Sequence, residues 1–340
     1  MSVRIGVVNW DCSLPSDTYF GYHQTRSLSP AKYRPVTPYY ADILGENKID
    51  YHTRTQVEYD RELSYAIDAG IDYFAYVWYP HEGSKSHVTQ SENDCSAHVF
   101  ELNYARKMHQ SSALRDKIGL CAIAGAHPFA DSDIRELALA MQEPYYEKND
   151  GRPLVYTFGG ARQDFVLRLR KICAEVGTPD PYAVGMFASR IPENTDLSAC
   201  DAVSAYACCL SGITDFADLA AKCISNNEGR RLAGKPVVPQ FTTGWDPSPR
   251  LDSPSPWCKY AYESYHGFAS EKELLDEANA LTDWIKASCA EQYIGHILSF
   301  AWNEFEEGGI ICPTVGADGS PDTAHLTAFG KCADHFRKLL

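Results

Sequence analysis

The 340-residue sequence is short of positive charge: 31 Lys and Arg stand against 45 Asp and Glu, a formal net charge of −14. Nucleic-acid binding draws its affinity from clustered Lys and Arg meeting phosphates, so no nucleic-acid partner is expected, and neutral small molecules or neutral glycans are the easier ligands. No apolar run approaches the ~20 residues needed to span a bilayer, which argues against a membrane protein. The N-terminal stretch MSVRIGVVNWDC lacks the basic region, long apolar region and small-residue cleavage site of a signal peptide, so the chain as given reads most simply as cytoplasmic. Twelve cysteines are scattered through apparent helices and strands without the paired spacing of a zinc site. They read as reduced, buried thiols that pack as small hydrophobes.

Chemical motifs are also missing. No G-x-G-x-x-G follows the first apolar run, where a nucleotide-binding α/β unit would carry it. There is no H-E-x-x-H, no H-x-x-x-H on one helix face, and no G-x-S-x-G nucleophile elbow. No cofactor and no metal are therefore expected.

What the sequence does contain is a rhythm. Eight apolar runs read as strands: RIGVVNW, IDYFAYVWY, KIGLCAIAG, PLVYTF, YAVGMFA, DAVSAYA, PVVPQFT and IGHILSFAW. Between them, helical spacing predicts helices over 56–69, 96–111, 131–142, 161–176, 215–226, 271–289 and 324–340. The fifth connection, SRIPENTDLS, is too short and polar for a full helix. Strands buried on both faces, alternating with helices over this length, predict an α/β fold, a (β/α)8 TIM barrel forming a single domain over 1–340. A doubly wound open sheet is the structural alternative. Two connections are long for a barrel, DCSLPSDTYFGYHQTRSLSPAKYRPVTPYY after the first strand and GWDPSPRLDSPSPW after the seventh, and long loops in compact domains are usually functional.

Active sites of such barrels lie at the C-terminal ends of the strands, so position alone nominates candidates. The first strand ends in Trp10 and Asp11, the second in Trp78, Tyr79 and His81, and the third near His127. The sixth ends at Tyr206, the seventh at Trp245 and Asp246, and the eighth at Trp302, Asn303, Glu304 and Glu307. Aromatic faces stack on the apolar faces of sugar rings while carboxylates hydrogen-bond hydroxyls, and paired carboxylates are the usual machinery of glycosidic cleavage. The stretch FAWNEFEEGG places three carboxylates, Glu304, Glu306 and Glu307, within four positions. On an extended strand Glu304 and Glu306 would share a face, whereas in a helical turn Glu304 and Glu307 would.

Four segments, AIDAGIDYFAYVWYP, DGRPLVYTF, FTTGWDPSPR and AWNEFEEG, occur in an order that resembles the family 99-like glycoside hydrolase barrels, which include endo-α-1,2-mannosidases and WbsX-type proteins of polysaccharide gene clusters. The resemblance implies a glycoside hydrolase that cleaves an α-linked, mannoside-like glycan with retention of configuration. It assigns the catalytic roles to Glu304, as the base that assists attack by the sugar 2-hydroxyl to give a 1,2-anhydro sugar, and to Glu307, as the acid/base. It further implies that Trp245, Asp246 and Arg250 line or brace the sugar site; an internal ion pair between Asp246 and Arg250 is the competing reading. The chain departs from the family pattern at Phe305, where Trp is usual, at Cys312, where a Glu is usual, and after the third strand, where AGAHPF lacks an Asn-Glu pair. A sugar-binding barrel without turnover is the alternative from another class. A glycosyltransferase ranks last because no glycine loop is present to cradle a nucleotide sugar.

Overall fold

The computed structural model describes residues 3–10, 13–81, 98–213, 215–257, 264–265 and 268–340. The uninterrupted apolar runs form strands because side chains on both faces find cover, one face in the barrel interior and the other beneath helices. The barrel strands are β1 (Arg4–Asn9), β2 (Tyr73–Val77), β3 (Gly119–Ala124), β4 (Arg152–Thr157), β5 (Tyr182–Met186), β6 (Ala202–Ser204), β7 (Gln240–Thr242) and β8 (His296–Phe300). They pair in parallel in the order β7, β8, β1, β2, β3, β4, β5, β6. The two ends meet where the Val203 N–H donates to the Pro236 carbonyl at 2.9 Å and the Val238 N–H donates to the Val203 carbonyl at 3.0 Å. This closes the sheet into a (β/α)8 barrel.

Nine α-helices are described: α1 (Tyr19–Leu28), α2 (Gln56–Asp68), α3 (Tyr104–Ser111), α4 (Asp131–Ala140), α5 (Gln163–Val176), α6 (Phe216–Arg231), the one-turn α7 (Ser248–Asp252), α8 (Glu271–Trp284) and α9 (Ala324–Leu339). The start of α2 shows how local sequence sets a boundary. Thr55 accepts from the Glu58 N–H, and the Glu58 carboxylate accepts from the Thr55 N–H at 2.7 Å, so two otherwise orphaned donors are satisfied. Its buried residues Tyr59, Glu62, Leu63 and Ala66 fall on one face, which packs onto the barrel.

The interior depends on one small residue. A Cβ on Gly6 would come within 2.1 Å of the Tyr73 ring. Glycine here leaves Tyr73 room to reach across the barrel to the Tyr156 hydroxyl at 2.9 Å.

Several elements differ from the sequence-based expectation. The fifth connection carries no helix, as its composition suggested. The loop expected after β1 contains α1, whose N-terminus is held by Thr18 accepting from Gly21, a cap inside a polar stretch without clear periodicity. Pro239 has no N–H to give, and the regular part of β7 starts only at Gln240. The helix expected over 215–226 runs on to Arg231, because Asn227, a poor helix former, is held by tertiary bonds to the Gln240 backbone, its amide donating at 2.8 Å and its oxygen accepting at 3.0 Å. The first two residues of the helix expected over 96–111 lie outside the described residues, and a 3₁₀ segment, Val99–Asn103, leads into α3.

Nine cysteines among the described residues are free; eight are buried and Cys209 is exposed. No described helix is long and apolar enough to cross a membrane.

Candidate active site

The chain leaves β8 through a cis peptide between Phe300 and Ala301 and enters a tight hairpin, with Asn303–Glu304 antiparallel to Gly309–Ile310. The Glu307 N–H donates to the Glu304 carbonyl at 3.0 Å, so the two glutamates stand at the first and last positions of one turn. Gly308 follows with φ of 77°, and a Cβ there would lie 2.4 Å from the Asp246 nitrogen. That close approach lets the Asp246 N–H donate to the Glu307 carbonyl at 2.7 Å, which ties the loop after β7 to the loop after β8. Asp246 also accepts from the Ser248 N–H at 3.0 Å at the entry to α7, and α7 carries Arg250.

Arg250 thereby arrives among the three carboxylates. Its guanidinium bonds Glu307, lies 3.4 Å from a Glu306 oxygen and 3.9 Å from a Glu304 oxygen, and sits over the Trp10 ring at 5.2 Å. Glu304, Glu306 and Glu307 are 3%, 1% and 7% exposed, and Arg250 is 3% exposed, so this charge cluster is buried. Burial of ions is costly unless they are paired and hydrogen-bonded, and Arg250 supplies the countercharge. Glu304 also accepts from the Tyr206 hydroxyl at 2.5 Å, and Glu306 accepts from the Ser27 hydroxyl of α1.

Burial holds the Glu304 carboxyl well above the usual glutamate range; the charge of Glu307 pushes the same way, and Arg250 and the Tyr206 hydroxyl oppose it. Burial, with the charge of Glu304, likewise pushes the Tyr206 hydroxyl upward. A carboxyl that keeps its proton beside one facing a guanidinium is an arrangement able to give and take protons in one reaction. Among the described residues no group of three or more His, Cys, Asp or Glu side chains is arranged to hold a metal ion, and the positive charge among these glutamates is that of Arg250.

No family model and no curated relative matches the chain. Solved structures do. A GH99 endo-α-mannosidase from Bacteroides thetaiotaomicron in complex with bis-tris-propane superposes with a TM-score of 0.62 at 14% identity, covering 100% of this chain and 99% of that one. The chain is similar in fold to this GH99 barrel. A second structure of a GH99 endo-α-mannosidase from the same organism gives 0.57 at 15% identity, covering 87% of this chain and 88% of that one. A glycoside hydrolase-like protein gives 0.60 at 13% identity, with 98% and 94% covered.

Within this GH99-like barrel the nominated residues divide. Trp10, Tyr79, Tyr206 and Trp245 gather at the same end of the barrel as the glutamates. The Trp10 indole donates to the Tyr79 hydroxyl at 2.7 Å, the Tyr79 ring lies 5.4 Å from His127, and Tyr206 and Trp245 flank the inward-facing Phe300 at 5.5 and 5.8 Å. Asn303 accepts from the Trp10 N–H at 2.8 Å and donates to Asn9 at 3.1 Å, so its amide orients backbone beneath the site. His81 is exposed, and its N–H is anchored to Asp133 of α4 at 2.8 Å.

Trp78 and Trp302 correct the expectation. Both face the helices: Trp78 lies under the Arg106 guanidinium of α3 at 3.6 Å, and the Trp302 indole donates to Glu62 of α2 at 2.9 Å. Alternation along β2 turns Trp78 away from the face that carries Tyr79, and Trp302 is held against α2 by its bond to Glu62. Arg250, expected to line or brace the site, makes ion pairs with the glutamates. Asp11 and Cys12 lie outside the described residues. Sequence reasoning missed Ser27, which gave no signal, and Trp257, whose ring meets Trp10 at 6.2 Å. The countercharge was discoverable, because three neighbouring glutamates need a cation and the Pro-rich loop offers one at Arg250.

Proposed function

We propose that this chain is a glycoside hydrolase, a single catalytic domain that cleaves an α-linked, mannoside-like glycan with retention. The observation that carries this reading is the cluster of buried Glu304, Glu307 and Arg250 with the partly buried Tyr206 at the C-terminal end of a barrel similar to the GH99 endo-α-mannosidase. In this account Glu304 takes the proton of the sugar 2-hydroxyl as that oxygen attacks C1. The bond from C1 to the leaving oxygen breaks, and Glu307 gives that oxygen a proton. Water then adds to C1 of the 1,2-anhydro sugar, Glu307 receives its proton, and Glu304 returns the first proton to O2. Two displacements at C1 restore the original configuration.

The roles require the reverse of the resting arrangement, in which Glu304 keeps its proton and Glu307 faces a guanidinium. A raised proton affinity makes Glu304, once ionised, a stronger base, and Arg250 must release Glu307 for proton donation to the leaving oxygen. The aromatic residues Trp10, Tyr79, Tyr206 and Trp245 are assigned to the sugar faces, with His81, His127, Asp246, Arg250 and Asn303 bracing or bordering the site. Screening neutral glycan digests for new reducing ends tests this. Glu307→Gln, with its fold checked by circular dichroism, is expected to lose turnover of ordinary glycosides by about 10²–10⁴-fold, the usual worth of a general acid/base. The hold of Arg250 on Glu307 favours a second reading, a sugar-binding barrel without turnover. Any released product discards that alternative.

A further inference from the structure

A concavity lies apart from the glutamates, between the starts of two barrel helices and the segment that follows the glutamate hairpin. Its volume is about 870 Å³, and its walls come from the N-terminal ends of α8 and α9, the segment from Cys312 to Gly319, and Arg34 and Ile43 of the long connection after β1. Barrel helices begin on the side where strands end, so Ser270 and Ala324, the residues at those helix starts, place the cavity at the same end of the barrel as Glu304 and Glu307. Cys312, in its wall, stands five residues after Glu307 in sequence. At ~3.6 Å per residue the two are at most about 18 Å apart.

We propose that this cavity is a second carbohydrate site, one that holds a neutral oligosaccharide segment continuing from the chain cleaved at the glutamates; the inference rests on the glycoside hydrolase reading. The walls are small and apolar at Ala269, Val315, Ala317 and Ala328, which leaves width for a sugar ring. Phe268, 37% exposed, stands at 88° to the His325 ring with centroids 5.1 Å apart. This aromatic corner offers a face for stacking against the apolar side of a pyranose. Polar groups sit around it without forming a pole of charge. Glu271 is paired with Lys331 at 2.7 Å, Asp322 accepts from the Ala324 N–H at 2.9 Å, and the Arg34 guanidinium donates to the Glu46 carbonyl at 3.0 Å. An anion would meet two carboxylates here, whereas hydroxyls can use both the carboxylates and the guanidinium. An apolar lining with a few placed polar groups is the usual character of a small-molecule site.

The test compares the wild-type chain, Phe268→Ala and Glu307→Gln on an array of immobilised neutral oligosaccharides of graded length, together with cleavage of the shortest substrate. The expected result is that Phe268→Ala weakens binding of long chains about tenfold, the scale of one lost aromatic contact, while leaving cleavage of the shortest substrate unchanged. Glu307→Gln is expected to keep long-chain binding and lose cleavage. If Phe268→Ala binds and cleaves every length as the wild type does, the second site is overturned and the hydrolase reading stands. Equal losses on short and long substrates would make Phe268 part of the cleavage site and also overturn the inference. Failure of the wild-type chain to bind or cleave any glycan would overturn both.

Discussion

Glu304 is a buried carboxyl whose proton affinity is raised in the folded state, and the sign of that shift has two consequences. A folded-state pKa above the unfolded one means that the protonated form's stabilising contribution is complete below the unfolded value, near 4.3, and is lost as pH rises through the folded value. Glu304→Gln is therefore expected to raise Tm, and by more at pH 8 than at pH 5, while removing turnover; thermal melts at the two pH values check it. The Tyr206 hydroxyl holds the Glu304 value down by donating to its oxygen. Tyr206→Phe is expected to move the ascending limb of the kcat/KM profile to higher pH, because a base of higher pKa ionises later. A limb that stays in place would separate Tyr206 from the ionisation of the base. At this scale the sequence was partly legible. It nominated both glutamates, yet put Trp78 and Trp302 in the sugar site, because the face a residue takes beyond a strand end depends on the loop's path. For the same reason Glu306 could not be separated from Glu307 by spacing alone; the turn after Asn303 directs Glu306 to Ser27.

At the scale of elements, the contact between the loops after β7 and β8 decides whether Arg250 reaches the glutamates. It depends on Gly308, whose positive φ and missing Cβ admit the Asp246 backbone. Gly308→Ala is expected to cost at least ~1 kcal/mol in stability. It should also lower kcat by roughly 10²-fold, the penalty of a misplacement of about 1 Å at reacting groups. Urea unfolding and steady-state rates measure the two effects. Strands were legible because burial on both faces writes itself as a continuous apolar run, and the missing fifth helix was legible from Pro192, Asn194 and Asp196 in its polar connection. The extent of α6 was not, since Asn227 is kept helical by Gln240, a residue distant in sequence. α1 was hidden for a similar reason: its cap is local, but its buried face includes Gln24, Thr25 and Ser27, polar residues that break the apolar period.

For the whole molecule, the acidic balance and the closed barrel lead to the same expectation, a site suited to neutral sugars. The net charge of −14 repels polyanions at long range, and within the site Arg250 compensates glutamates without leaving an exposed basic surface. The architecture was legible from strand count and rhythm. The pairing of loops across the mouth was not, because contacts between residues far apart in sequence, such as Arg250 with Glu307, 57 positions away, leave no periodic trace. In the proposed mechanism Glu304 and Glu307 cleave an α-glycosidic bond by two successive displacements at C1. NMR of the first-formed anomer during digestion of an α-linked glycan decides the matter: the α anomer is expected ahead of mutarotation, and a β anomer appearing first would rule out the double displacement.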